Sequence, residues 1–269
     1  MCHEQGLGRG PRGPGSGVWS LQHSVPGRRG TRGTRHPRAH RRGPLTNLPT
    51  LDRLRSHLRG RTGLTASAVE VGRVAYRLAH PVSADDLIDE EDFDRDERLP
   101  YWAELWPSAL ALARHLSKRD LTGIHAVELG CGVGLPTIVA LARGATVLAT
   151  DHYGAALDFT AHNASANLDR EPDTALLDWR TPEIESPRTF DIVLAADVLY
   201  ERKNAAALAD LVPKLLASGG EAIFADPRRD EAFVYLEDMK ENGFEDAVEE
   251  VTVEQGTRNV KVLLHHLRR

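Results

Sequence analysis

"AVELGCGVGLPT", residues 126–137, is the stretch whose reading decides the fold. It runs from an apolar strand through a turn with glycine at 130, 132 and 134 into a helical pattern. Gly130 and Gly132 permit a tight turn and let a ligand approach the backbone closely, because glycine has no Cβ. The flanking sequence repeats this alternation. Before it, "WPSALALARHLSK" (106–118) reads as a helix with Pro107 in its first turn. From 124 onward, short apolar runs alternate with helical patterns. Strands are expected at 124–129, 146–150, 174–178, 190–196 and 220–225, and helices at 136–143, 154–166, 203–217 and 230–241. Two more strands, near 245–253 and 258–266, end the chain. This alternation means an α/β fold with a mainly parallel sheet. Ligands of such sheets bind outside the carboxyl ends of the strands, where the strand order reverses.

The residues at those ends narrow the choice of ligand. The dinucleotide fingerprint needs a glycine where Leu135 or Thr137 stands, and no Gly-Lys-Ser/Thr follows to make a Walker loop. What is present is acid-x-Gly-x-Gly-x-Gly: Glu128, Gly130, Gly132, Gly134. A carboxylate there repels a pyrophosphate and suits a cationic ligand. The next strand ends at Asp151, and an acid in that place accepts both hydroxyls of a ribose. The third strand ends in Asp178-Trp179, an aromatic to stack on a purine and a carboxylate to accept from its amino group. A cationic end, a ribose and an adenine describe S-adenosylmethionine.

Composition sets the outer bounds. The 269 residues, 41% hydrophobic, suffice for one good-sized domain plus appendages. No apolar run approaches the roughly 20 residues of a membrane-spanning helix, and the start lacks the apolar core of a secretory signal. Cys2 and Cys131 make neither a disulfide framework nor a cysteine-based metal site, so no metal is expected and a reducing cytoplasm is the default. The net charge of −5 hides an asymmetry. Residues 1–44 hold nine arginines and one acid, a net +8, while the rest holds 25 basic and 38 acidic residues, a net −13. The acidic body gives no support for nucleic-acid binding by a basic groove. With ten glycines and five prolines, residues 1–44 are expected to be a disordered Arg/Gly/Pro-rich tail, either a nucleic-acid tail or a non-essential extension. Residues 45–100 read as a helix (51–63), a hairpin around Gly72 (67–81) and an acidic loop (85–100), and residues 101–269 as the ligand-binding domain.

Three further motifs make the chain resemble a known family. "YWAELWPSA" (101–109), "LLDW" (176–179) and "AADVLY" (195–200), set around the glycine loop, resemble the class I S-adenosylmethionine-dependent methyltransferases. More narrowly, they resemble the small protein-lysine methyltransferases that modify chaperones and the electron transfer flavoprotein β subunit. The resemblance covers about residues 67–269. It implies a Rossmann-like sheet of seven mainly parallel strands with helices on both faces, and a small N-terminal β extension. It places Trp106 against the methionine end of the cofactor and Gly130, Cys131 and Gly132 under it. Asp151 takes the ribose, Trp179 flanks the adenine and Ala196 lines the same site. Asp197 and Tyr200 face the methyl-acceptor pocket, and Trp102 either walls it or belongs to the core. In "FADPRRDEAF" (224–233), Arg228 either grips substrate or pairs with Asp226.

The chemistry implied is displacement at a sulfonium carbon, driven mainly by positioning in a water-poor slot. A lysine acceptor must shed a proton whose reference pKa is about 10.4. Asp197 is expected to hold and orient it, with Tyr200 aiming its lone pair. The partner implied is a cytosolic protein with a target lysine, electron transfer flavoprotein β-like or another, met by a monomer. A nicotinamide-like small molecule is the alternative acceptor. A nucleic-acid methyltransferase using the tail is a further one, although "ADVLY" stands where the motif of amino-group nucleic-acid methylation would be.

Overall fold

The structure, a computed structural model, describes residues 49–88, 99–182, 189–256 and 258–269. The expectations for the 1–44 tail and for most of the acidic loop fall outside those residues. Helix α1 (Leu51–His57) precedes a hairpin of β1 (Leu64–Val71) and β2 (Val74–Pro81). Then follow α2 (Pro107–Leu116), β3 (His125–Leu129), α3 (Leu135–Ala142), β4 (Thr146–Asp151), α4 (Gly154–Leu168) and β5 (Asp173–Leu176). The chain continues with β6 (Phe190–Ala196), α5 (Arg202–Leu215), β7 (Leu216–Asp226), α6 (Asp230–Glu241), β8 (Glu245–Gln255) and β9 (Arg258–Arg268).

The seven-stranded sheet has the order β5-β4-β3-β6-β7-β9-β8. Strands β5 to β7 run parallel, and β9 runs antiparallel to both its neighbours. The chain winds from β3 outward to β4 and β5, then returns to the other side of β3 as β6. The order therefore reverses at β3, and the carboxyl ends of β3, β4 and β6 open the crevice where such sheets bind ligands. Strand β6 shows why the sheet reads as unbroken apolar runs. Ile192 and Leu194 pack on the side of α2 and α3, while Val193 and Ala195 pack on the side of α5 and α6. A central parallel strand is covered on both faces, so no position along it favours a polar residue. Among the described residues no helix is long and apolar enough to cross a membrane.

Several expected boundaries shift; the first helix, expected over 51–63, ends at His57, and the hairpin begins at Leu64. Strand β5 stops at Leu176, so Asp178 and Trp179 lie in the loop beyond it rather than at its tip. The helix expected to reach 217 ends at Leu215, and β7 begins at once with Leu216.

The hairpin is a separate two-stranded sheet, and its free β2 edge is closed by side chains of α4. Asn167 accepts from the Arg77 N–H (2.8 Å) and donates to the Arg77 carbonyl (2.8 Å). Asn163 does the same for Ala79, at 2.7 and 3.0 Å, and its amide also donates to the Val133 carbonyl (2.9 Å). The spacing makes this possible. Four helix residues advance about 6.0 Å, and two strand residues about 6.6 Å. Asn163 is fully buried and ties the hairpin, α4 and the glycine loop together. Asn163→Ala leaves a buried backbone N–H and two carbonyls unpaired. It is expected to lower unfolding stability by about 2–3 kcal/mol, read from the midpoint of a denaturant titration at unchanged slope.

Candidate functional site

The glycine loop is shaped by contacts from α4 and β4. The N–H groups of Gly130 and Cys131 both donate to the Thr150 carbonyl at 2.9 Å, curling the loop over the end of β4. Gly134 has φ +90°, and a Cβ there would lie 2.7 Å from the Thr160 hydroxyl oxygen, so only glycine fits. Cys131 is buried beside Thr160, and burial together with the Asp151 and Glu128 charges keeps its thiol well above its ordinary pKa. It packs the turn as a neutral thiol.

These contacts line a cleft that opens to solvent at the carboxyl ends of β3, β4 and β6. Of the residues singled out from the sequence, Trp102, Trp106, Glu128, Gly130, Cys131, Gly132, Gly134, Asp151, Asp178, Trp179, Ala196, Asp197 and Tyr200 all line it. Arg228 does not. Its guanidinium pairs with Glu250 on β8, and its side chain bonds neither Asp226 nor anything in the cleft.

Asp151 is buried at the end of β4, where it accepts from the Gly132 N–H (3.0 Å) on Oδ2 and the Tyr153 N–H (2.9 Å) on Oδ1. Each oxygen keeps a second acceptor position, which suits a vicinal diol. Burial pushes its carboxyl up to about 6 against those backbone bonds. Glu128 is buried more deeply and takes a hydrogen bond from the Thr137 hydroxyl. Burial, with Asp151 adding its charge, pushes Glu128 up to about 8, so at neutral pH it is mainly protonated. The standing negative charge expected there from the sequence arises only when a cation or higher pH draws the proton off.

The loop after β5 is pinned by the Leu177 N–H, which donates to the Asp151 carbonyl at 2.9 Å. Burial opposes ionisation of Asp178, but hydrogen bonds from Arg180 outweigh it and hold the carboxyl below its usual range. The Trp179 ring lies where a Cβ on Gly130 would touch it (3.3 Å), and its indole N–H is buried without an acceptor. Trp102 is buried against Phe159 (ring centroids 5.3 Å) and Tyr153 (6.5 Å), so it belongs to the core and to the cleft wall at once.

At the other end, Asp197 directly follows β6 with φ +58° and is buried. Its Oδ1 accepts from Arg229 twice, from Nε at 2.8 Å and Nη2 at 2.5 Å, and its Oδ2 from the Ser108 hydroxyl at 3.2 Å. The arginine that pairs with Asp197 is therefore Arg229, one residue beyond the one singled out from the sequence. Tyr200 meets the edge of Tyr101 at 5.0 Å, and Tyr101 in turn meets Trp106 at 5.9 Å. Burial and the Glu201 charge raise the Tyr200 phenol far above its ordinary range, so it stays neutral. Sequence reasoning missed Tyr101, Ser108, Thr137 and Arg229. Tyr101 and Ser108 stood inside the quoted "YWAELWPSA" but lacked a partner until the fold brought one.

The fold and cleft together are those of a class I S-adenosylmethionine-dependent methyltransferase. The glycine cradle, the buried Asp151 carboxylate and the unpartnered Trp179 N–H all fit that cofactor. Residues 93–242, more than half of the chain, match the family described as "Lysine methyltransferase", and the chain belongs to that family. It is 41% identical over 105 residues to the mouse protein N-lysine methyltransferase METTL21A, covering 36% of this chain and 48% of that protein. It is 32% identical over 149 residues to the zebrafish (Danio rerio) protein of the same name, covering 51% of this chain and 67% of that protein. The matched part is thus about half to two thirds of these relatives' length. Among solved structures, the N-methyltransferase NodS of Bradyrhizobium japonicum, in complex with S-adenosyl-L-homocysteine, superposes with a TM-score of 0.50 at 20% identity. That match covers 67% of this chain and 95% of that one, and shows a shared fold.

Asp151→Ala is expected to weaken S-adenosylmethionine binding about 100-fold in calorimetry, the loss of two hydrogen bonds to a charged acceptor. The pH dependence has a definite sign. The carboxyl is raised to about 6, so affinity is full above that pH and falls up to about tenfold per unit below it. The part of the fall between pH 7 and 5 that belongs to Asp151 is the part that vanishes in Asp151→Asn.

Proposed function

We propose that this chain transfers a methyl group from S-adenosylmethionine to the side-chain nitrogen of a lysine in a protein. The observation that carries the reading is the acceptor end of the cleft, where the Asp197–Arg229 pair and three aromatic rings stand beside the diol-accepting site. The family match and the names of the relatives supply the acceptor class. Trp106, Glu128, the glycine loop, Asp151, Asp178, Trp179 and Ala196 hold the cofactor in this reading, and Asp197 and Tyr200 serve the acceptor. Trp102 backs the loop from the core. The free, buried thiol of Cys131 suits a reducing cytoplasm, where we place the acceptor protein.

When bound, the cofactor supplies an electrophilic methyl group on a sulfonium. The rest falls to the chain. Tyr101, Trp106 and Tyr200 wall the slot with ring edges and faces, which exclude water and attract an alkylammonium. Asp197 attracts the arriving lysine but does not act as a lone carboxylate, because Arg229 already neutralises it. The guanidinium adds a fixed positive charge close to wherever a lysine meets Asp197. Like charge lowers an amine's pKa, and cationic neighbours activate lysine nucleophiles in this way. The pair therefore binds the amine while helping it lose its proton. Tyr200, kept as a phenol, offers a hydroxyl to orient the lone pair.

Three measurements test this. Incubating the protein with labelled cofactor and a cell lysate is expected to label protein, with mass spectrometry locating the methyl groups on lysine. Label confined to small molecules or nucleic acid would sink the reading. Asp197→Asn is expected to lower kcat by roughly 100-fold while leaving cofactor affinity near normal. In Arg229→Gln, the apparent pKa of kcat/KM for a lysine peptide should rise by about one unit, because the amine loses its cationic neighbour. Arg229→Lys should restore most of it.

A further inference from the structure

Far from the cleft, the last turn of α2 crosses the antiparallel β8–β9 pair. Three metal-ligating side chains from three elements meet there: His115 of α2, Glu249 of β8 and His266 of β9. One donor atom on each lies within 4.8 Å of the donors on the other two. The register explains the meeting. Ala247 pairs with His266 and Glu249 with Leu264, so Glu249 and His266 are diagonal neighbours on one sheet face. Leu264 and Val262, on that same face of β9, pack with α2 in one core cluster. This sets His115 above the two, its ring centroid 4.8 Å from that of His266.

Both imidazoles are oriented by carboxylates. His266 Nδ1 bonds Glu221 Oε1 at 2.8 Å, and Glu221 is buried and held further by Arg119 (2.8 Å) and Arg268 (2.6 Å). His115 Nδ1 bonds Glu249 Oε2 at 2.9 Å. A carboxylate only accepts, so each ring donates from Nδ1 to the carboxylate beside it. His115 Nε2 is buried and has no hydrogen-bond partner. His266 thus has a carboxylate behind Nδ1 and leaves Nε2 for an ion, the usual arrangement of a metal-binding histidine; an ion entering between His115 Nδ1 and Glu249 displaces the proton they share, which the ring then carries on Nε2.

We propose that His115, Glu249 and His266 bind one divalent transition-metal ion, zinc by ligand type, with water completing the coordination. Two nitrogen donors and one oxygen donor suit zinc over magnesium or calcium, which take oxygen. Bonds of about 2.0–2.2 Å need donor separations of about 3.4 Å, so the three donors draw together on the ion from separations of up to 4.8 Å. Glu249 is half-exposed and gives the ion its way in. The ion clasps the end of α2 to the sheet edge.

The test is zinc titration of the full chain after chelator treatment, by competition with a chromophoric chelator, with cobalt absorption to report the geometry. The chain binds one ion at this cluster with a tetrahedral cobalt spectrum, and its Tm rises on addition of zinc. His266→Ala and Glu249→Gln each weaken that binding at least about tenfold. His266→Ala is scored only if its far-ultraviolet spectrum is native. Otherwise Glu249→Gln, a half-exposed and shape-preserving change, decides by itself. Absence of stoichiometric binding, or binding undiminished in a scored variant, as histidines of residues 1–44 would give, overturns the proposal.

Discussion

Four buried carboxylates surround the carboxyl ends of the parallel strands, and the cost of taking their charge out of water governs how this site is built. Glu128 lies next to last in β3, Asp151 ends β4, Asp197 follows β6 and Asp226 ends β7, and none is more than 8% exposed. An unpaired charge in such a place costs several kcal/mol. The chain answers differently at each. Glu128 keeps its proton and bonds Thr137. Asp151 accepts two backbone N–H groups but stays only partly compensated. Asp197 takes a guanidinium and a hydroxyl. Asp226 accepts the Arg229 N–H at 2.7 Å on one oxygen, while the other, buried, has no partner. Along the sheet the states run from the partly compensated Asp151 through the neutral Glu128 to the paired Asp197 and the half-satisfied Asp226. An incompletely satisfied acid favours a ligand that brings hydroxyls or positive charge, and a satisfied one favours a neutral amine.

Backbone strain marks the same place. Asp197 at φ +58° and Arg228 at φ +71° both sit in the left-handed region, which costs a non-glycine residue roughly 1–2 kcal/mol. Both are held by one small network. The Asp197 N–H still donates to the Ala225 carbonyl at 2.9 Å, extending the β6–β7 pairing by one step before the chain turns. Arg229 then locks the turn by bonding Asp226 with its backbone and Asp197 with its side chain. The strain turns the Asp197 carboxylate into the cleft, and the arginine keeps it from relaxing away.

Much of this was legible in the sequence. Buried strands announce themselves as apolar runs, because a strand covered on both faces has no reason to alternate. The acid at the end of each run stands out because nothing apolar explains it. Hence the sheet, the glycine loop and most of the cleft follow from pattern. The failures have a common cause. Arg228 and Arg229 are adjacent and chemically identical, and only the left-handed turn at Arg228 decides that the second points at Asp197 while the first swings to Glu250. The Glu128 charge was misjudged because residue type does not reveal depth of burial, and depth moves its pKa. Strand β5 was read two residues too long: Leu177 still bonds the last residue of β4, Asp151, but the chain then turns, with the Asp178 carboxylate taking the Arg180 N–H. His115, Glu249 and His266, up to 151 positions apart, carry no spacing signal at all.

Helix α2 links the two regions of the molecule that carry chemistry. Its ten residues span about 15 Å. Trp106 caps its start, with the indole N–H on the Tyr101 carbonyl at 2.9 Å, and two residues later Ser108 donates to Asp197. At its far end His115 grips Glu249. Ala111, Leu112 and Ala113 between these points and Leu116 just beyond are fully buried, so the helix has no room to slide without breaking core packing. The antiparallel β8–β9 pair contributes no residue to the cleft, yet it sets where α2 ends and so, through a rigid helix, where Ser108 and Trp106 stand. Fixing the far end of α2 therefore helps fix the Ser108–Asp197 contact, and the edge of the sheet bears on the geometry of a cleft it never touches.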